Sequence, residues 1–294
     1  MGHHPAASPG ISRRRFLGGG LAAAALLPLW ARTAIADPIG SPPTKSAQAF
    51  SDWMLARRPE DPGMLRQRFS TLKQLVARHD IWNAANSRAF LLTPREAFVA
   101  PETRDDAYAL HLLDLGYGVT VTPPQTVSHM TSALDVRPGE KVLEVGTGSG
   151  YQSAYLSNLT SQVWTIEIIA PLFARTGEVF SRLIAEGYDE YRAIGRRQGD
   201  GYYGWPEAAP FDRIIVTCGI DHIPPPLLQQ LVPNGTMVIP VGPPGAQHIL
   251  KVVKRQQADG SFTVTRSDIN NGLVVPFVPF TKLVQGRVVG THDG

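Results

Sequence analysis

The apolar positions fall into two regimes along the chain: helical spacing first, then short strand-like runs. Leu65, Phe69, Leu72 and Val76 recur at the helical period, which predicts one amphipathic helix with a core-facing stripe. Asp61-Pro62 ahead of it reads as an N-cap followed by proline at the first helical position. A shorter helix is predicted over 47–57, and another over about 125–134. Residues 141–145, Lys-Val-Leu-Glu-Val, are a β-branched apolar run and predict a buried strand. Gly146, Gly148 and Gly150 break that run, and 151–159 resumes helical spacing. A second strand is expected over 162–168, then a helix over 171–186 that starts on proline, with Gly187 as its C-cap. Residues 211–219 predict a strand and its exit, with 214–216 buried. A turn and strand follow at 232–242, then a hairpin of 247–254 with 262–266 around Asp259-Gly260. Strand, glycine turn, helix and strand in this order predict an α/β fold, a doubly wound Rossmann-like sheet, with an N-terminal helical extension.

Composition adds a size and a charge. The 294 residues are 43% hydrophobic and 18% charged, enough for a sizeable core. The formal charge of +3 comes from the first 36 residues, which hold four arginines and no acid. Without them the balance turns slightly negative, so there is no electrostatic case for nucleic acid or an anionic membrane. Ser12-Arg-Arg-Arg-Phe-Leu17 opens a positive segment, 17–30 is small and apolar, and Ala34-Ile-Ala36 has the form of a cleavage site. The run is too short to span a bilayer comfortably. The paired arginines before Phe-Leu resemble a twin-arginine signal. Cleavage before Asp37, a periplasmic location and no stable membrane insertion afterwards are the expectation; an unused signal would leave the chain cytoplasmic. Cys218 is the single cysteine, so no internal disulfide forms. The eight histidines are scattered and no paired-cysteine spacing exists, so no metal site is expected.

The chemistry centres on the glycine turn. Its spacing is G-x-G-x-G, not the G-x-G-x-x-G of a dinucleotide fingerprint. Glu144 lies two residues ahead of Gly146, where a carboxylate would repel a pyrophosphate and suit a cation. S-adenosylmethionine (SAM) carries a sulfonium and an ammonium and no phosphate, and is favoured over a nicotinamide or flavin nucleotide. A tight turn with no ligand is the bland alternative. Glu167, at the end of the second strand, can accept both hydroxyls of a ribose; this holds for either ligand class. Gly199-Asp200-Gly201 is a turn that alone says little.

Several runs together resemble the protein-L-isoaspartate O-methyltransferase family over about residues 88–285. Pro94-Arg-Glu-Ala-Phe-Val99 is similar to the family's P-R-E-x-F-V, and Ala107-Tyr108 to its A-Y. Arg137-Pro-Gly-Glu-Lys-Val-Leu-Glu-Val-Gly-Thr-Gly-Ser-Gly-Tyr151 follows its R-P-G-x-x-V-L-E-I-G-T-G-S-G-Y. Ile223-Pro-Pro-Pro-Leu-Leu-Gln-Gln-Leu231 and Leu273-Val-Val-Pro-Phe-Val-Pro-Phe280 resemble its later motifs. The resemblance implies SAM as cofactor, held by Glu144, Gly146, Thr147, Gly148, Ser149, Gly150, Glu167, Asp200 and Gly201, with Asp200 on the adenine amino group. It implies that Thr120 and Thr122 bind the substrate carboxylate, with Thr122 in the place of the family's active-site serine. Thr217 and Cys218, at the exit of the strand over 211–216, are expected beside the substrate.

The implied activity is methylation of isoaspartyl carboxylates in damaged proteins or peptides, by a monomer that meets the export machinery and then its substrate. Val119 replaces the family's glutamine and 124–128 departs from its usual helix start, so another peptide or small carboxylate acceptor stays open. So does an exported SAM-binding protein without turnover, since SAM is made inside the cell. The expected division is a signal over 1–36, a linker over 37–48, a helical and substrate-loop region over 49–136, a SAM-binding core over 137–285 and a tail over 286–294.

Overall fold

The run at 141–145 is covered on both faces. In the computed structural model Val142 and Leu143 expose nothing and Val145 exposes 3%, as a parallel strand between two layers does. The structure describes residues 1–2, 39–279, 281–284 and 287–290. The chain divides into the units Met1–Ala36 and Asp37–Gly294, and all the described helices and strands belong to the second. The expected signal and cleavage site lie outside the described residues.

The helices are α1 (Ala47–Leu55), α2 (Pro62–Ala77), α3 (Ala84–Leu92), α4 (Pro124–Leu134), α5 (Tyr151–Ser157), α6 (Ala170–Ala185) and α7 (Pro225–Gln230). The strands are β1 (Leu113–Gly116), β2 (Val119–Val121), β3 (Lys141–Val145), β4 (Gln162–Glu167), β5 (Gly195–Gln198), β6 (Phe211–Val216), β7 (Leu231–Val241), β8 (His248–Gln256), β9 (Phe262–Asp268), β10 (Thr281–Val284) and β11 (Arg287–Gly290).

Seven strands form one sheet in the order β5-β4-β3-β6-β7-β8-β9. The first five are parallel and β8 and β9 run antiparallel. The chain winds outward from β3 through β4 to β5, then returns to place β6 on the other side of β3. That reversal is the switch point of a doubly wound sheet, and the crevice opens at the carboxyl ends of β3 and β6. Strand alternation sorts the core. Val142, Ile215 and Val238 join the cluster made by the N-terminal helices and α4, whereas Leu143, Val145, Ile214, Val216 and Met237 pack with Leu227 of α7. The helical extension therefore shares its core with the sheet.

Asp61 caps α2 as expected, its Oδ1 accepting from Gly63 N at 2.6 Å and Met64 N at 3.2 Å. One member of the expected stripe is corrected: Val76 is 46% exposed, and Leu75 is buried instead. Both positions fit the helical period after Leu72. The exit decides between them, because Asp80 N and Ile81 N both bond back to Leu75 O and draw that edge inward. The first helix begins at Ala47, where the helix over 47–57 is expected, and is capped by Ser46. The β1–β2 ladder, with Leu113 opposite Val121, lies within the helical and substrate-loop region over 49–136, where no strand is predicted.

Leu75→Ala is expected to lower unfolding free energy by about 2–5 kcal/mol, and Val76→Ala by no more than ~0.5 kcal/mol. Urea denaturation of the two variants checks this; equal losses would contradict the observed register.

Candidate functional site

One side of the crevice is built by the turn after β3. Gly146 has φ +97°, and a Cβ there would run into Thr217 Oγ1 at the exit of β6. Only glycine combines that backbone with so close a neighbour. Gly148 has φ +54° with open space where a Cβ would stand, so its backbone faces the crevice bare. Gly150 is the N-cap residue of α5. Thr147 is buried, its hydroxyl 2.6 Å from that of Thr165, and Ser149 Oγ accepts from Tyr151 N at 3.3 Å.

Two buried acids follow the turn. Glu167, 4% exposed, accepts from Gly148 N at 2.8 Å through Oε2 and from Ile169 N at 2.9 Å through Oε1. Burial raises its carboxyl above the ordinary range, and the backbone N–H groups partly oppose that. Glu144 is fully buried; its Oε2 accepts from Ser153 Oγ, while Oε1 has no hydrogen-bond partner. Burial pushes its carboxyl up to about 8. Burial thus favours the protonated form of Glu144.

These groups border a cavity of about 470 Å³, within the range of small-molecule sites. Of the expected residues, Thr120, Thr122, Glu144, Gly146, Thr147, Gly148, Ser149, Glu167, Gly201, Thr217 and Cys218 line it. Gly150 and Asp200 stand behind the wall. Asp200 Oδ1 accepts from Tyr202 N at 2.9 Å and caps the turn that presents Gly199 and Gly201. Thr217 Oγ1 donates to Gly146 O at 2.7 Å and Val145 O at 3.0 Å. Burial, with Glu167 and Asp200 nearby, pushes the Cys218 thiol up, the opposite of an activated nucleophile. Among the described residues no group of three or more His, Cys, Asp or Glu is placed to hold a metal ion.

The far wall was not foreseen. Residues 275–279 line the cavity, fastened by Gly219 N to Val278 O at 2.9 Å and by Phe277 N to Gln247 Oε1 at 3.0 Å. His111 and Leu112, ahead of β1, also border it. The Val-Pro-Phe-Val-Pro sequence gives one usable signal: two prolines in an apolar run bar an ordinary ladder strand.

Comparison with known proteins decides the family. Residues 69–285 match the family described as Protein-L-isoaspartate(D-aspartate) O-methyltransferase (PCMT). The chain belongs to this family. It is 46% identical over 189 residues to Protein-L-isoaspartate O-methyltransferase of Anaeromyxobacter dehalogenans (strain 2CP-C), covering 64% of this chain and 85% of that one. It is 44% identical over 202 residues to Protein-L-isoaspartate O-methyltransferase 1 of Nitrosospira multiformis, covering 66% and 83%. Among solved structures, a putative family enzyme from Plasmodium falciparum, in complex with S-adenosyl-L-homocysteine (SAH), superposes with a TM-score of 0.58 at 21% identity. That match covers 72% of this chain and 97% of the other, and shows the shared fold.

Glu144 binds its proton more tightly folded than unfolded, so ionisation between the ordinary carboxylate range and about 8 opposes folding. Its favourable contribution is full at low pH and lost as pH rises toward 8. The melting temperature of the ligand-free PCMT-family chain should therefore fall relative to Glu144→Gln between about pH 5 and pH 8. Parallel thermal melts across that window check this; a constant difference would overturn the assignment.

Proposed function

We propose that this chain transfers the methyl group of SAM to the carboxylate of isoaspartyl residues in proteins or peptides. The observation that carries this reading is the meeting, in one cavity, of the bare glycine turn, two buried acids and the threonines at and after β2, in a chain of the PCMT family. The cavity fits SAM on its own features. Gly148 leaves room for close approach, and Glu144 Oε1 is an unpartnered buried acceptor suited to an ammonium. SAM supplies a methyl group on a positively charged sulfur.

The side chains then need only bind and align. Glu167, fixed by two backbone N–H groups, keeps lone pairs for the ribose hydroxyls. The family resemblance assigns Asp200 to the adenine amino group; the glycines on either side of it, Gly199 and Gly201, line the cavity. Thr122 is assigned to the acceptor carboxylate, whose oxygen is already a nucleophile near neutral pH. No general base is required. Rate comes from holding the reacting atoms in line and from excluding water behind the apolar wall of Val275, Phe277 and Val278.

The test is base-labile incorporation of labelled methyl into an isoaspartyl peptide, beside its normal aspartyl counterpart. Incorporation into the isoaspartyl peptide is expected, with kcat/KM lowered about tenfold or more by Thr122→Ala and SAM affinity lowered by Asp200→Ala. Transfer to the aspartyl peptide alone would move the acceptor to another class, as Val119 and the extra methyl of Thr122 would allow.

The signal-like segment extends the proposal to location: export by the twin-arginine route with cleavage before Asp37. N-terminal sequencing of periplasmic material should begin at Asp37; an intact Met1 recovered only from the cytoplasm would reject export.

A further inference from the structure

The Pro94-Arg-Glu motif has no part in the chemistry above, yet it holds an unusual charge. Arg95 exposes nothing to solvent. Its Nε donates to Ala107 O at 2.6 Å and its Nη2 to Thr122 O at 2.7 Å. Its guanidinium lies over the ring of Tyr151, 4.7 Å from the centroid, and Nη1 has no hydrogen-bond partner. Thr122 and Tyr151 both line the cavity, so this cation sits one layer behind the wall.

The nearby acids are committed elsewhere. Glu60 and Glu96 both pair with Arg68, at 2.5 and 2.8 Å. Tyr108 Oη donates to Glu96 Oε2 at 2.6 Å and accepts from Arg68 Nε at 2.6 Å and from Arg95 N at 3.2 Å. Among the described residues no carboxylate lies within ion-pair distance of Arg95. Burial lowers its pKa, but an arginine remains charged at any working pH. A buried charge without a counter-ion is costly, and in this chain it faces the side of the cavity where a carboxylate is to bind.

We infer that Arg95 is a positioning residue whose uncompensated charge, acting through the Thr122 wall, draws the acceptor carboxylate into place. The inference rests on the proposed carboxylate acceptor. In the transfer an oxygen lone pair forms the O–CH3 bond as the S–CH3 bond breaks and its electron pair goes to sulfur. The carboxylate loses its negative charge and the sulfonium its positive one. A fixed cation therefore favours the bound carboxylate more than the transition state, so its loss raises acceptor KM and leaves kcat unchanged or slightly higher.

The experiment compares wild type, Arg95→Lys, Arg95→Met and Arg95→Gln at saturating SAM. It measures kcat and KM for the isoaspartyl peptide, inhibition by the same peptide with that carboxyl made a carboxamide, and SAH affinity by calorimetry. Both neutral variants should raise peptide KM about tenfold with kcat changed by less than about threefold. The preference for carboxylate over carboxamide should collapse toward unity, and SAH affinity should hold. Arg95→Lys should keep most of that preference. Should Arg95→Met not fold, Arg95→Gln, which keeps donors without the charge, carries the comparison. Neutral variants that keep the wild-type preference, or a lysine variant that loses it as fully as they do, would overturn the inference. A wild type that binds SAH and leaves the peptide unmethylated overturns the functional reading as well, and that first measurement tells the two failures apart.

Discussion

The ends of β3 and β6 are tied together by Thr217. Its N–H donates to Val145 O at 3.0 Å, and its hydroxyl reaches Gly146 O at 2.7 Å. This contact brings the first glycine so close to the neighbouring strand that no side chain can stand there. The turn must then leave the sheet with positive φ and present bare backbone to the crevice. Glu167 is held by the N–H of Gly148 in that same turn, so the second strand's acid is placed by the first strand's exit. Thr147 and Thr165 repeat the link between β3's exit and β4. Three strand ends are thus fixed relative to one another before any ligand arrives, which is the preorganisation that methyl transfer without a general base requires.

The electrostatics of the cavity divide along the same line. The side proposed for the cofactor carries Glu144 and Glu167, both with raised carboxyl pKa because they are out of water. The side proposed for the acceptor has Arg95 behind Thr122, with no buried acid paired to it among the described residues. In the proposed reaction the sulfonium donor would meet these acids and the carboxylate acceptor would meet the arginine's side of the cavity.

The sequence was most legible where local geometry dictates residue type. Positive φ at the turn after β3 demands glycine, and strands buried on both faces demand continuous apolar runs; both were visible at once. Asp61-Pro62 announced α2 for a similarly local reason. Leu75 and Val76 could not be separated, because both satisfy the helical period and only the long-range exit of the helix chooses. Asp200 was legible as a turn residue, but its carboxylate caps Tyr202 N, which spacing alone could not say. Arg95 was hidden because an arginine beside a glutamate reads as a solvated loop. Its burial depends on Tyr108, Thr122 and Tyr151, which come from three separate parts of the chain. Residues 275–279 were hidden for the same reason: they line the cavity through backbone bonds to Gly219 and Gln247.

Those backbone bonds close the cavity with parts of the chain far apart in sequence. The donor's cradle is complete once β6 has joined β3, but the apolar wall opposite is laid down only after β8 and β9. A polypeptide halted ahead of Val275 would lack that wall and leave the crevice open to water on that side.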